Sequence, residues 1–277
     1  RIERWDKTLY TVSEVLEAWM ETQRNWLYLQ PIFESPDINK QLPTEGKRFA
    51  AVDKNWRNSL SSGKAHPLAI TFCDSEKLLE RFKESNVFLD QVQKGLADYL
   101  ETKRGAFSRF YFLSNDELLS ILSDSKDPKL VQPHLSKCFE GIKLVNFADD
   151  GTIDGIISRE KEQVKLTDII DPNAANVEDW MGQVESGMKA TIRDVAYKAV
   201  LDYIKPDVTR GQWMQTWPGM LVLNCSQLWW TAEMEESIDK KGNEGVKDEL
   251  KKQIEQLAEM TVLVRGKLDG LARMSIG

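Results

Sequence analysis

Histidine and cysteine are scarce in this sequence: two and three in 277 residues. Cys73, Cys138 and Cys225 are odd in number, far apart and without the paired spacing of a zinc site. They read as reduced thiols of an intracellular protein, acting as small buried apolar groups. His66 precedes a proline and His134 follows one, and neither has partners that would make it a general base, so both read as surface or capping residues. No apolar run approaches the ~20 residues that a membrane span requires, and no secretory pattern opens the chain. An excess of positive charge is also missing. The net charge of −7 argues against a dedicated nucleic-acid binder, which needs a basic face for phosphates. The nearest approach to a phosphate loop is residues 58–65, NSLSSGKA. Asn58 stands where the first glycine belongs, and Ala65 replaces the hydroxyl that would hold magnesium. The segment also follows a helical pattern instead of a strand. Glu233, Glu235 and Glu236 read as a solvated helix face, and Glu160 to Glu162 as a hairpin tip. No catalytic, cofactor or metal site is expected from these residues.

What is present is apolar periodicity. Hydrophobic residues make up 41% and charged residues 29% of the chain, and nine tryptophans favour packed helix faces or partner surfaces. Val12, Leu16, Trp19 and Trp26 predict a helix over about 9–29, ended by Pro31. Phe49, Val52 and Trp56 predict a second over 45–60, ended by Ser61-Ser62-Gly63. Leu78, Phe82, Leu89, Val92, Leu96 and Tyr99 mark a third. Between Ile142 and Ile170 the pattern shortens to strand-like pieces with a turn at Asp149-Asp150-Gly151. Val177 to Ala199 is a long helical stripe. A helix from Arg210 to Ile238 follows, interrupted or restarted at Trp217-Pro218-Gly219. After a turn at Lys241-Gly242-Asn243, Leu250, Ile254, Leu257, Thr261, Val264, Leu268 and Leu271 keep the alternating intervals of a coiled-coil seam. The expected fold is mainly α. It is an elongated helical bundle with a small antiparallel meander over about 109–167 and a C-terminal helical hairpin, in parts 1–105, 106–170 and 171–277. The adjacent Trp229 and Trp230 lie about 100° apart around a helix, so one can meet the core and the other a second surface. Burial against the following helix is the simpler expectation.

One stretch, Lys94 to Leu122, has a readable structural task at nearly every residue. Lys103 and Arg104 suit the negative end of a helix dipole. Gly105 permits the chain to leave that helix. Phe110 to Leu113 reads as a short aromatic strand, packed into the core rather than offered as a stacking platform. Ser114 and Glu117 form a capping-box pattern for the next helix. Further on, a short helix from Pro133 to Phe139 is expected to end at Gly141.

Long strings in this chain closely resemble the linker region of dynein heavy chains. They are residues 99–119 (YLETKRGAFSRFYFLSNDELL), 132–142 (QPHLSKCFEGI), 19–29 (WMETQRNWLYL) with PIF at 31–33, VEDW at 177–180 and NCSQLWWTAE at 224–233. Together they span most of the sequence. The hairpin at Ser158 to Glu162 departs from the family's Ser-x-Glu-Gly-Glu pattern, with Lys161 in place of glycine. The resemblance implies the C-terminal part of a mostly helical lever excised from a larger polypeptide, lying just before the first ATPase module. It implies no catalysis and no cofactor in this region, with ATP and magnesium held by the AAA+ ring of the parent chain. The ring modules are the implied partners, microtubules only through the parent motor, and the ciliary or flagellar axoneme the implied location, with the cytoplasm as the alternative. Bending would fall where helices are interrupted: Pro31 to Pro43, Gly63 to Pro67, or Trp217 to Gly219. The residues alone leave a helical adaptor for another protein as the second reading.

Overall fold

The computed structural model describes residues 1–123 and 127–276. They fall into two compact units, Arg1–His134 and Leu135–Gly277. In the first, helices α1 (Ile2–Glu34), α2 (Pro36–Gln41), α3 (Pro43–Ala65), α4 (Ala69–Cys73), α5 (Glu76–Ala106) and α6 (Asn115–Ser123) follow one another. A 3-10 turn, Ser108–Phe112, separates the last two, and a second one, Pro128–Val131, leads into α7 (Gln132–Cys138). Helices α1, α3 and α5 enclose the core. Trp56 and Phe82 are buried there, with Trp19 edge-on to Trp56 at 5.8 Å and to Phe72 at 5.4 Å. Inside this apolar layer Thr22 donates its hydroxyl to Asn86 Oδ1 at 2.7 Å, and Asn86 Nδ2 donates to the Ala18 carbonyl at 3.1 Å. A buried polar pair of this kind is stable only when both members are bonded, so it fixes the register of α1 against α5.

Helix α1 does not stop at Pro31; the proline lies inside it. So close to the C-terminus, proline removes one backbone bond. Buried Leu29 and Phe33 hold the final turn in place, Phe33 stacked on Phe49 at 5.3 Å. Helix α3 likewise runs through Gly63 to Ala65. An added Cβ on Gly63 would meet Trp19 at 3.2 Å, so this glycine serves close packing and not termination.

The expected strand at Phe110 to Leu113 is a 3-10 turn. Phe107, Phe110 and Leu113 are buried while Tyr111 and Phe112 are exposed. That three-residue interval is the 3-10 period, whereas a strand would place Phe110 and Phe112 on the same face. Phe107 and Phe110 meet edge-to-face at 5.0 Å.

The second unit opens with the strands β1 (Leu144–Phe147), β2 (Ile153–Ile157) and β3 (Gln163–Ile170), an antiparallel sheet in the order β1-β2-β3. The meander therefore covers 144–170, later than the 109–167 expected. Gly151, at φ +85°, and Asp150, accepting from the Thr152 N–H at 3.0 Å, make the first turn. Helices α8 (Val177–Tyr203), α9 (Arg210–Thr216), α10 (Gly219–Lys241), α11 (Asn243–Arg265) and α12 (Gly270–Ile276) complete the unit. Helix α8 lies on β3, where the buried Thr191 hydroxyl accepts the Thr167 N–H at 2.9 Å. Gly242, at φ +55°, turns the chain from α10 into α11.

Candidate functional site

Of the residues singled out by the sequence, Ser114 and Glu117 sit at the start of α6. The Ser114 N–H donates to Glu117 Oε2 at 2.9 Å, and the Glu117 N–H donates to Ser114 Oγ at 3.3 Å. Arg104 contributes more than a charge near a helix end. Its guanidinium donates to the Leu113 carbonyl at 3.2 Å and to Asn115 Oδ1 at 2.8 Å, tying the end of α5 to the start of α6. Gly105 lies within the last turn of α5, which leaves the helix at Phe107. Gly141 lies three residues beyond the end of α7. Neither has positive φ, and neither would bring an added Cβ within 4 Å of another atom, so glycine's freedom is not used at these two positions.

Residues 58–65 form the end of α3, their backbone in helical bonds instead of arched around a phosphate. The three cysteines are free and buried. Burial pushes the Cys73 and Cys225 thiols up, the direction opposite to nucleophile activation. Among the described residues no group of three or more His, Cys, Asp and Glu side chains could hold a metal ion, and no helix is long and apolar enough to cross a membrane. What the chain does offer is a joint and a face.

The joint gathers at the C-terminal end of α8. Carbonyls in the last turn of a helix lack intrahelical partners. Here one indole serves such a carbonyl, that of Val200, and two more bond groups beside it. Trp213 Nε1 donates to the Ala199 carbonyl at 2.9 Å, Trp229 Nε1 to the Val200 carbonyl at 3.1 Å, and Trp217 Nε1 to Asp202 Oδ2 at 3.0 Å. Lys205 closes the Asp202 carboxylate from its other side at 2.6 Å, and these two donors, Lys205 the stronger, hold its pKa below the usual value. Tyr203 stacks on Trp229 at 5.5 Å and meets Trp213 edge-on at 5.2 Å. The end of α8 is thereby clasped by residues from α9, from the junction at Trp217 and Pro218, and from α10. Below it Ala199, Trp213, Met214, Val222 and Cys225 form a buried cluster.

A second tie reaches the junction from the sheet. The hairpin between β2 and β3 turns through Lys161 at φ +71°, the left-handed region that glycine would occupy without strain. Beyond that turn, Glu162 Oε1 accepts the Gly219 N–H at 2.8 Å. This places a carboxylate on the first backbone donor of the 23-residue helix α10, where it satisfies an orphan N–H and opposes the helix dipole. The hairpin tip read in sequence is present, and it also supplies a helix cap 57 residues away. No local pattern could announce it.

The face belongs to α10 and α11. The two helices pair closely at the turn, where an added Cβ on Gly245 would lie 2.1 Å from the Ser237 carbonyl oxygen. Polar contacts continue along the pair, with Lys241 to Asp248 at 2.7 Å and Lys252 to Glu233 at 2.6 Å. The expected seam of Leu250, Ile254 and Leu257 is not buried there. Each is 59–64% exposed, and Leu228 and Trp230 on α10 are 54% and 51% exposed. The helix phase places Gly245, Glu249, Lys252 and Gln256 toward the partner helix instead, and packing turns apolar only at Met260, Leu263 and Val264. The coiled-coil register is present, but its stripe faces outward. The seam also ends at Arg265, because Leu268 lies in a loop and Leu271 in α12.

Residues 1–199 match the sequence model of the family described as "Dynein heavy chain, N-terminal region 2". Over 99% of its length the chain is 45% identical to human dynein axonemal heavy chain 1, covering 6% of that protein. It is 44% identical to mouse dynein axonemal heavy chain 3, over 99% of this chain and 7% of that one. To human dynein axonemal heavy chain 12 it is 43% identical, over the whole of this chain and 9% of the relative. The chain thus spans less than a tenth of the length of these relatives. With a family match over residues 1–199 and such identity along its whole length, the chain belongs to the dynein heavy chain family.

Proposed function

We propose that this chain is the C-terminal part of the linker of an axonemal dynein heavy chain, a non-catalytic lever that couples ATP-driven changes in the AAA+ ring to force along microtubules. The observation that carries the reading is the clasp at the end of α8. A force-bearing element must pass load from one helix to the next without local yielding. Three indole donors, a stacked tyrosine and a carboxylate cap converge where α8, α9 and α10 meet. Helix interruptions are where a lever bends, and this one is braced. The interruption at Trp217-Pro218-Gly219 therefore acts as a fixed elbow instead of the working hinge. The cofactors ATP and magnesium belong to the ring in this reading, the partners are ring modules of the same heavy chain, and the location is the ciliary or flagellar axoneme.

The test joins this chain to a dynein ring that lacks its own linker and measures nucleotide-dependent contact. Restored contact is expected, along with no saturable ATP binding by the isolated chain in calorimetry. ATP binding that is lost on Lys64→Ala would overturn the non-catalytic reading. A second reading, an adaptor that binds another protein independently of a motor, is favoured by the outward apolar stripe on α10 and α11. Failure to contact the ring would favour it.

A further inference from the structure

The outward stripe is accompanied by a charge without a counter-ion. Beside it, Tyr203, Arg210, Ser226, Trp230, Ile254 and Leu257 line a groove of about 570 Å³. Arg210 is half-buried at the base of α9. Its Nη1 donates to the Tyr203 hydroxyl at 3.1 Å and its Nη2 to Ser226 Oγ at 3.4 Å, and the guanidinium lies over the Tyr203 ring at 5.8 Å. All three partners are neutral. Its Nε is buried with no hydrogen-bond partner, and among the described residues no carboxylate lies within ion-pair distance. The acidic residue in the groove, Glu233, is engaged by Lys252 at 2.6 Å. An arginine remains charged at every physiological pH and is built to grip a carboxylate in a fork. A half-buried guanidinium held only by hydroxyls and an aromatic ring therefore keeps the capacity to pair with a carboxylate entering the groove.

The shape of the surface narrows what could supply that partner. Leu250, Ile254 and Leu257 recur at four- and three-residue intervals over about 10 Å of helix, the spacing onto which a second helix packs. Trp230 stands across the groove on α10, half-exposed, and a rigid aromatic of this kind is a common anchor of protein contacts. Around the stripe the hairpin carries charges of both signs, with Glu236 paired to Lys240 and Asp248 to Lys241. A border of mixed sign lacks the clustered basic charge that draws a protein to an anionic membrane surface. We infer that the α10–α11 groove is the seat of an amphipathic helix whose apolar side chains pack on Trp230, Leu250, Ile254 and Leu257 and whose carboxylate pairs with Arg210. This goes beyond the lever reading and does not depend on it, because either a motor element or an adaptor could seat such a helix.

The experiment places a benzophenone amino acid at Leu257 of the intact heavy chain with its native partners, and maps photo-adducts by mass spectrometry. The expected result is adducts confined to one helical segment that carries apolar residues at three- and four-residue spacing and an Asp or Glu. Arg210→Gln should lower the yield at least tenfold and Arg210→Lys by less. Arg210→Glu combined with acid→Arg in the mapped segment should restore it. Ile254→Lys lies on the surface and should abolish the adduct with an unchanged melting temperature of the chain, so loss of folding in an Arg210 variant does not decide the matter. Absent adducts, adducts to lipid or to α11 of a second copy, a segment without a carboxylate, or a yield unaffected by Arg210→Gln in a folded protein would each overturn the inference.

Discussion

Replacing Glu162 with alanine removes the carboxylate that joins the β2–β3 hairpin to the start of α10. The bond to the Gly219 N–H is 2.8 Å and charge-assisted, a class that contributes about 1.5–3 kcal/mol to stability. Favourable charge at a helix N-terminus adds about 0.3–1 kcal/mol. The two figures overlap, since part of the bond's strength is that same charge. Glu162 is also half-exposed, so water can replace it at Gly219. Glu162→Ala should therefore cost about 1–2 kcal/mol, and Glu162→Gln, which keeps an acceptor oxygen, about half as much. At about 2–4 °C per kcal/mol for a domain of this size, the alanine variant should melt roughly 2–8 °C lower. The assay is urea unfolding followed by tryptophan fluorescence, together with hydrogen exchange on the first turn of α10. Exchange should accelerate at Gly219 to Leu221 and remain unchanged in α1 and α5. Equal midpoints for wild type, Glu162→Gln and Glu162→Ala would show that the carboxylate does not cap α10.

Three further expectations follow from the same geometry. Gly245→Ala puts a Cβ 2.1 Å from the Ser237 carbonyl oxygen, which only backbone separation can relieve. It should cost about 1–3 kcal/mol or more, and an unchanged denaturation midpoint would contradict the close helix approach. Ser114→Ala should cost ~1 kcal/mol through loss of the cap on α6, and the same midpoint checks it. The pKa of Asp202 is lowered from 3.8 by Lys205 and Trp217, so its stabilising contribution is complete above the unfolded value and is lost as pH falls through the lower folded one. The stability difference between wild type and Asp202→Asn should be flat from neutral pH down to about 5 and shrink below 4. A difference that grows on acidification would reverse the assignment.

The sequence displayed most of the helical content because apolar spacing alone carries that signal. The stripes from Leu78 to Leu96 and Val177 to Ala199 lie on buried faces as their period requires, although Leu100 and not Tyr99 closes the first. The capping pattern at Ser114 is legible for a similar reason, since both partners lie within one turn. What escaped was decided by contacts distant in sequence. Phe110 to Leu113 has strand-like composition, but the burial of Phe107 and Phe110 in one core imposes a three-residue period. Pro31 fails to end its helix because Phe33 is held by Phe49. The outward turn of Leu250, Ile254 and Leu257 follows from Gly245, whose contact with Ser237 fixes the rotation of α11 at its first turn. The clasp on α8 joins residues 14 to 29 positions apart, and the Glu162 cap joins residues 57 apart. Spacing within a window cannot reveal either one.

In the proposed lever the elbow at Trp217-Pro218-Gly219 stays rigid while the ring cycles. The most direct measurement is single-molecule energy transfer in a motor with one dye on the ring and another at Lys251, with a control pair spanning the elbow from Lys189 to Lys251. The ring-to-Lys251 pair should alternate between two distances as ATP is bound and hydrolysed, while the control pair holds one value throughout. A single ring-to-Lys251 distance in every nucleotide state would contradict the lever, and a control pair that switches with nucleotide would place the bend at the elbow instead.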